Sequence, residues 1–370
     1  MANDLAQFVH ANERRLLDEL KTFLRIPSIS ALPEHKIDVE NAARFTAEAL
    51  ADAGMENVEI IPTDGHPLIY ADWLHAPGKP VVLLYGHYDV QPPDPLELWE
   101  TPPFEPSVRD GNLYARGAAD DKGQFYMHIK AVEALGELRG KLPVNVKFLI
   151  EGEEEVGGAS ISKYVPAHKD KLKADVALVS DTSLYAEGIP TLCVGLRGLI
   201  YTELEASGPM RDLHSGLYGG AAPNAIFGLI ELLAKAKSAG GVVQIPGFYD
   251  DVKAPATAEL QSWSELPFSE QDFLMKEVGS SQLTGESQHS VLERVWARPT
   301  LEVHGIVGGF VGSGAKTVIP AKAVAKVSFR LVPEQDAEKI IKSWISFVAS
   351  HAPEGIAMTV KVLSANPAIV

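Results

Sequence analysis

One short stretch points to the fold of this chain: residues 80–89 have the sequence PVVLLYGHYD. Its first seven residues are a continuous apolar run of strand length that ends in a glycine. Such runs are typical of strands buried on both faces in a parallel sheet. The polar residues His87 and Asp89 follow at once, and the two-residue period of a strand points both to the same side. The stretch therefore predicts a buried strand that delivers polar side chains to one edge of a sheet.

Helices and strands alternate around this stretch. Apolar residues recur at helical spacing before and after it, and shorter apolar runs lie between those segments. We predict helices over residues 4–24, 39–53, 122–138 and 159–168, and strands over residues 80–86, 144–151 and 175–180. This order favours an α/β fold in which helices cover a mainly parallel sheet.

The pattern changes near Arg197 and Gly198. Residues 199–206 alternate between apolar and polar side chains, which is typical of a strand with one exposed face. We predict further helices over residues 223–239 and 336–351, and strands over residues 300–307, 321–332 and 357–363. Two helices on an antiparallel sheet would form a second, α+β domain. We therefore expect one domain over residues 1–197 and another over residues 198–370.

Composition and charge exclude several classes of function. A chain of 370 residues with 33 Lys and Arg against 49 Asp and Glu carries a net charge of −16, which disfavours nucleic-acid and anionic membrane partners. The single cysteine, Cys193, cannot form an internal disulfide, and its apolar neighbours predict a place in the core. No apolar run approaches the length of a membrane span or a signal sequence. We expect a soluble, cytoplasmic protein.

Several common catalytic motifs are absent from the sequence, among them HExxH, GxSxG, CxxC and GxGxxG. Residues 309–317 resemble a phosphate-binding loop, but Ala315 separates the glycine and lysine that such a loop needs side by side. The loop also lies in the second domain, without a preceding buried parallel strand. Nucleotide binding is therefore not predicted.

Acidic and histidine residues gather where the predicted strands end. They are His87 and Asp89, Asp120 and Asp121, Glu153 to Glu155, and Asp181. Taken one at a time, each has a structural explanation. A lone histidine is commonly packed in the core, a run of glutamates is commonly a solvated turn, and an aspartate after a strand commonly caps a helix. Together at the carboxyl ends of neighbouring strands, these groups would repel one another unless cations neutralise them. Their nitrogen and oxygen atoms suit zinc, so the pattern predicts a metal site.

The sequence resembles the cocatalytic dizinc peptidases, a family that includes carnosinase (cytosolic nonspecific dipeptidase), glutamate carboxypeptidase, aminoacylase and succinyl-diaminopimelate desuccinylase. The carnosinase branch is the most similar. The stretches that carry the resemblance are Leu84–Val90, Gly117–Gly123, Glu153–Gly157, Ser180-Asp181, Gly195–Gly198, Asp212–Gly220, Gly312–Pro320 and Phe329–Pro333. The resemblance implies a catalytic dizinc domain over residues 1–197 and an inserted lid or dimerisation domain over residues 198–370.

The resemblance also implies the ligands of two zinc ions per active site, with Mn²⁺ or Co²⁺ as alternatives. His87 and Asp181 would hold one ion, Glu155 would hold the other, and Asp120 would bridge both. The peptide bond between Asp120 and Asp121 would be cis. Asp89 would orient the His87 ring, as partners of metal-binding histidines commonly do.

Further residues take roles in catalysis and substrate binding by the same resemblance. Glu154 would be the general base, taking a proton from the attacking water and passing it to the leaving amine. His214 would reach into the active site of a partner subunit, so that a homodimer pairs through the inserted domain. Arg330 would bind the substrate carboxylate, which a guanidinium matches with two hydrogen bonds, and Thr317 would also contact the substrate.

One feature departs from the family pattern. The family's second zinc also needs a histidine near the far C-terminus, after the inserted domain, whereas this sequence stops at Val370. His289, His304 and His351 do not lie in a segment that could return to the site. We therefore expect the chain to lack on the order of one hundred residues of the first domain relative to the family.

The function predicted from these residues is zinc-dependent hydrolysis of the amide bond of dipeptides or short peptides with a free C-terminal carboxylate. An N-acyl amino-acid deacylase would use the same metals and the same base. A non-catalytic, dimerising metal-binding module is the alternative from another class, although a module that only binds metal has no use for Glu154. The expected partners are a small peptide and a second copy of the chain, with no nucleic acid and no membrane.

Overall fold

The computed structural model describes residues 2–186 and 188–370 of the chain. They divide into two compact units, Met1–Thr191 and Leu192–Val370, each of which is considered separately below. The border lies a few residues before the predicted one at residues 197 and 198. Among the described residues, no helix has the length and apolar character needed to span a membrane.

The first unit contains a five-stranded sheet with helices packed against it. Its strands are β1 (Glu56–Ile61), β2 (Leu68–Trp73), β3 (Val81–His87), β6 (Asn145–Glu151) and β7 (Val176–Val179), with a separate hairpin of β4 (Ser107–Arg109) and β5 (Asn112–Tyr114). Its helices are α1 (Ala2–Leu24), α2 (Lys36–Asp52), α3 (Lys122–Arg139), α4 (Ala159–Ala167) and α5 (Lys169–Leu172). The predicted α/β fold is confirmed, and the predicted helices and strands of this unit lie within a few residues of those observed.

The order of strands in the sheet is β1-β2-β6-β3-β7. Strand β3 pairs in parallel with both β6 and β7, whereas β1, β2 and β6 pair in antiparallel fashion. Strands β1 and β2 were not predicted from the sequence. Strand β1 is mostly exposed and so lacks a continuous apolar run, which is the signal that identified the central strands.

The core of this unit lies between the sheet and helices α1 to α3. The ring of Phe23 on α1 stacks on Phe45 of α2 at a centroid distance of 4.7 Å and meets Phe125 of α3 edge to face. A side chain at Gly86 near the end of β3 would overlap Phe125 and Asp121. Glycine at this position therefore lets the start of α3 approach the end of β3 closely.

Two apolar segments are more exposed than the sequence suggests. Strand β7 forms one edge of the sheet, and its Val176 and Val179 side chains are 53% and 49% exposed. Cys193, predicted to lie in the core, is exposed instead. Periodicity identifies apolar segments but cannot show which neighbours cover them, because that depends on tertiary packing.

The second unit contains a four-stranded antiparallel sheet in the order β10-β12-β8-β13. Its strands are β8 (Gly198–Ser207), β10 (Thr300–Gly308), β12 (Lys322–Leu331) and β13 (Ala357–Asn366), with a short ribbon of β9 (Leu213–His214) and β11 (Val318–Ile319). Its helices are α6 (Ser215–Tyr218), α7 (Ala225–Ala236), α8 (Thr257–Ser264), α9 (Glu270–Asp272), α10 (Val291–Trp296) and α11 (Ala337–His351). Strand β8 alternates between buried and half-buried residues, as its sequence predicts.

Candidate metal centre

The predicted ligands of the first unit meet where its parallel strands end. His87 is the last residue of β3 and is fully buried, and its parallel register places it beside Glu151, the last residue of β6. Strand β7 ends at Val179, two residues before Asp181. Because the carboxyl ends of parallel strands lie at the same edge, the sheet brings these segments together.

His87, Asp120 and Asp181 form a group that could hold a metal ion. The Nε2 atom of His87 lies 3.1 Å from Oδ1 of Asp120 and 3.5 Å from Oδ2 of Asp181. These separations match those of about 3.3 Å between ligand atoms in a tetrahedral zinc site with bonds near 2.0 Å. Although buried, Nε2 has no well-aligned hydrogen-bond partner among the described residues. The group therefore fits a divalent metal ion better than a hydrogen-bonded histidine.

The electrostatics of His87 support the same conclusion. Burial alone would lower the pKa of its imidazole, but the contacts with Asp120, Asp181 and Asp89 outweigh burial and raise that pKa well above its usual range. The surrounding carboxylates thus favour a positive charge at this position, either a proton on the ring or a cation beside it.

Glu154 and Glu155 approach His87 from another direction. One oxygen of each carboxylate and a ring nitrogen of His87 lie within 4.8 Å of one another, which is a second arrangement that could hold a metal ion. Glu155 also accepts a hydrogen bond of 2.7 Å from Nε2 of Gln91. Burial raises the pKa of both glutamate carboxyls. The structure thus brings the predicted base and the predicted second ligand to the same place as the first metal group.

Asp89 connects the histidine to the two glutamates. Its carboxylate is fully buried, and Oδ1 lies 3.4 Å from Nδ1 of His87. The same carboxylate accepts hydrogen bonds from the backbone N–H groups of Glu154, at 3.3 Å, and Glu155, at 3.1 Å. The backbone carbonyl of Asp89 is 3.1 Å from His87 Nδ1 as well. Asp89 therefore contacts both the ring it was predicted to orient and the turn that carries the glutamates.

Three charged residues beside these ligands are buried, and the sequence predicted neither their burial nor their hydrogen bonds. Asp121 joins Asp120 through a cis peptide bond and accepts a hydrogen bond of 3.1 Å from the backbone N–H of His87. Glu151 accepts a hydrogen bond of 2.7 Å from the hydroxyl of Tyr85. Burial raises the pKa of both carboxyls to about 7.

Lys122 is the third of these residues. It is fully buried and donates a hydrogen bond of 2.7 Å to the carbonyl of Ile26, just beyond α1. Burial lowers the pKa of its amine to about 7. The signal in the sequence was the adjacency of Asp120, Asp121 and Lys122, but only tertiary contacts show that the last two are buried.

Of the predicted site residues of the second unit, His214 ends β9, Thr317 directly precedes β11 and Arg330 lies on β12. Strand β9 pairs with β11, which places Thr317 beside His214, with the threonine Oγ1 3.3 Å from Nε2 of the imidazole. The Nδ1 atom of His214 accepts a hydrogen bond of 3.0 Å from the backbone N–H of Gly216, so Nε2 carries the proton of the neutral ring. Arg330 lies near the end of β12, where it is exposed. The structure thus pairs His214 with Thr317.

Comparison with known proteins identifies the family. The model of peptidase family M20/M25/M40 matches residues 83–363. The Cys-Gly metallodipeptidase dug1 of Schizosaccharomyces pombe is 34% identical over 348 residues, which cover 91% of this chain and 73% of that protein. The human Beta-Ala-His dipeptidase is 31% identical over 350 residues, which cover 91% of this chain and 69% of that protein.

Solved structures agree with the sequence comparisons. The crystal structure of human carnosine dipeptidase 1 matches with a TM-score of 0.84 and 28% identity, covering 100% of this chain and 81% of that one. The M20 family metallo-carboxypeptidase Sso-CP2 from Sulfolobus solfataricus matches with a TM-score of 0.82 and 33% identity, covering 93% of this chain and 77% of that one. The resemblance found in the motifs is therefore confirmed, and the chain belongs to the metallopeptidases of family M20/M25/M40.

Proposed function

We propose that this protein hydrolyses the amide bond of dipeptides or short peptides that carry a free C-terminal carboxylate. The observation that carries the proposal is the placement of Glu154 and Glu155 beside the group of His87, Asp120 and Asp181. A carboxylate that can act as a base thus lies next to residues that can hold a divalent ion, which is the combination that hydrolysis of an amide requires.

Two divalent ions would be held by these residues, with zinc as the first candidate and Mn²⁺ or Co²⁺ as alternatives. His87 and Asp181 would bind one ion, Glu155 the other, and Asp120 would contact both. When bound, such ions lower the pKa of water and polarise a carbonyl group. Bound cations would also relieve the repulsion between these carboxylates, so the negative charge at this edge of the sheet favours metal binding.

Glu154 moves the proton in the proposed reaction. Its carboxylate has no hydrogen-bond or ion-pair partner among the described residues, so it is free to accept a proton from the attacking water. It would then donate that proton to the nitrogen of the leaving amine. The hydrogen bond from its backbone N–H to Asp89, at 3.3 Å, fixes the turn from which the carboxylate projects.

Residues of the second unit would bind the substrate and complete the site in a homodimer. Arg330 has no carboxylate partner among the described residues, so its guanidinium is available to a substrate carboxylate. Thr317 would also contact the substrate. The protonated Nε2 of His214 would donate a hydrogen bond to the developing oxyanion in the site of a partner subunit. This unit would thus act as the lid and dimerisation domain.

Two other functions remain as alternatives. An N-acyl amino-acid deacylase would use the same metal ligands and the same base, and a non-catalytic metal-binding module would use the ligands alone. Relatives named Cys-Gly metallodipeptidase and Beta-Ala-His dipeptidase favour dipeptides over N-acyl amino acids. A cytoplasmic location also stays a prediction, based on the acidic composition and the single cysteine.

A substrate panel separates these functions. The metal-free full-length protein is reconstituted with Zn²⁺, Mn²⁺ or Co²⁺ and assayed on Cys-Gly, β-Ala-His, a tripeptide and an N-acetyl amino acid. Asp181→Asn is the matched control, since it removes a metal ligand from the same protein. We expect hydrolysis of dipeptides that depends on added metal and is lost in the control. Turnover of the N-acetyl amino acid alone would support the deacylase, and metal binding without any turnover would support the non-catalytic module.

A further inference from the structure

A loop between α1 and α2 lies directly beside the residues that follow β3. Ile29 forms a parallel bridge with Val90, and the backbone N–H of Val90 donates a hydrogen bond of 2.9 Å to the carbonyl of Ser28. The hydroxyl of Ser28 donates to the carbonyl of Tyr88 at 2.6 Å. The two backbone contacts, between Ile29 and Val90 and between Val90 and Ser28, hold the loop in register with the segment that contains Asp89, so the next residue, Ser30, has a defined position.

The hydroxyl of Ser30 donates a hydrogen bond of 2.6 Å to Oδ2 of Asp89. This contact completes the surroundings of a carboxylate that is fully buried. Oδ1 faces the His87 ring and the N–H of Glu154, while Oδ2 faces the N–H of Glu155 and the Ser30 hydroxyl. Each oxygen therefore has two partners, which is the full capacity of a carboxylate oxygen. Ser30 supplies the shortest of these contacts.

We propose that Ser30 is a positioning residue of the metal centre, acting through Asp89. The serine hydroxyl fixes the rotation of the Asp89 carboxylate. That carboxylate in turn sets the orientation of the His87 ring and the place of the turn that carries Glu154 and Glu155. The inference rests on the proposed function for its effect on catalysis, but its effect on metal binding can be measured independently.

Loss of the Ser30 hydroxyl should disturb the contacts of both oxygens of the Asp89 carboxylate. A buried carboxylate oxygen that loses a donor is under-satisfied, and the group gains freedom to rotate toward its remaining partners. Rotation of the Asp89 carboxylate would misalign its contacts with the His87 ring and with the backbone N–H groups of Glu154 and Glu155. Removing a residue that orients a metal-binding histidine typically weakens metal binding or activity by about 10- to 100-fold. We expect Ser30→Ala to fall in this range.

The test compares Ser30→Ala with Ser30→Thr and with Ser28→Ala in the full-length protein. Ser28 is the matched control, because it lies in the same loop and its hydroxyl binds a backbone carbonyl and not Asp89. Affinity for Zn²⁺ and Co²⁺ is measured by competition with a chelator, and kcat and KM are measured on a dipeptide. We expect Ser30→Ala to weaken metal binding and lower kcat by about 10- to 100-fold, with KM nearly unchanged. Ser30→Thr keeps the hydroxyl and should restore both, and Ser28→Ala should leave metal affinity within about twofold of the parent.

A double-mutant cycle with Asp89→Asn tests whether Ser30 acts through Asp89. If it does, Ser30→Ala should have little further effect on metal affinity once Asp89 is changed. The proposal would be overturned if Ser30→Ala lowered metal affinity equally in the parent and in the Asp89→Asn background. It would also be overturned if Ser30→Ala and Ser28→Ala lowered metal affinity equally, or if Ser30→Ala bound metal as tightly as the parent. Should Ser30→Ala fail to fold, Ser30→Cys, with its weak thiol donor, carries the same expectations. If no variant hydrolyses peptides but metal affinity follows this pattern, the positioning role stands and the proposed function fails.

Discussion

Three consecutive glutamates at residues 153–155 should give three different phenotypes when each is changed to glutamine. Glu154→Gln is the decisive variant, because it removes the proposed base with almost no change in size. The Glu154 carboxylate has no side-chain partner among the described residues, so the amide leaves no buried group unpaired. The hydrogen bond from its backbone N–H to Asp89 is unaffected, and the turn should keep its place.

The expected magnitude follows from the role of a general base. Such a group contributes about 10²- to 10⁴-fold to the rate, so Glu154→Gln should lower kcat by that factor. This loss corresponds to about 3–5 kcal/mol in the activation barrier. Metal content should stay near that of the parent, since the predicted ligands are His87, Asp120, Glu155 and Asp181.

The neighbouring glutamates provide the controls. Glu155→Gln should lose metal together with activity, because Glu155 is a predicted ligand. Glu153 accepts a hydrogen bond of 3.1 Å from the backbone N–H of Ser160 near the start of α4, and glutamine can still accept it. Glu153→Gln should therefore keep most of both activity and metal. The assay is dipeptide hydrolysis with metal per chain measured by elemental analysis.

Two outcomes would refute the assignment of Glu154 as the base. The first is a Glu154→Gln variant whose kcat stays within about tenfold of the parent, which is less than a general base contributes. The second is loss of metal from Glu154→Gln to the same degree as from Glu155→Gln. That result would instead make Glu154 a ligand, since its carboxylate also lies within 4.8 Å of a ring nitrogen of His87.

The remaining predictions concern the dimer, the core and pH. In the full-length protein, His214→Ala should lower kcat strongly with metal content unchanged. Refolding it with Glu154→Ala should restore about a quarter of the parent activity if His214 acts across a two-fold dimer. No recovery, despite heterodimers seen by native mass spectrometry, would contradict this. Trp344 is fully buried, with no partner for its indole N–H among the described residues. Trp344→Ala should lower the unfolding free energy in urea by about 3–5 kcal/mol, and Trp344→Phe by much less. Although burial raises the pKa of Glu286, the hydrogen bonds from Arg298 outweigh it and hold that pKa below the ordinary value of 4.5. Stability from this pair is therefore present above pH 4.5 and is lost as pH falls through the lowered pKa, so Glu286→Gln should be less stable than the parent near pH 7 and approach it near pH 3 in urea unfolding.

The sequence by itself predicted the elements whose signals are local. The apolar run of β3, the helical spacing of α3 and the alternation of β8 each reflect which faces of an element are buried, and that pattern is written in consecutive residues. The candidate ligands His87, Glu155 and Asp181 could also be found, because polar residues at or just after the ends of parallel strands lie at one edge of the sheet. Asp120 instead lies just before α3 and does not follow a strand of that sheet. The family resemblance then supplied a role for each of them.

Contacts between residues distant in sequence were decided only by the tertiary structure. Ser30 and Asp89 are separated by 59 positions, and no periodicity links them. The burial of Lys122 and Glu151 likewise depends on which elements cover them, as does the exposure of Cys193 and β7. Local patterns report the preference of a segment for water or for the core, whereas the partners of a buried polar group are set by how several elements pack around it. The contacts of Asp89 with His87, Glu154, Glu155 and Ser30 therefore depend on tertiary packing, and the sequence alone does not reveal them as a set.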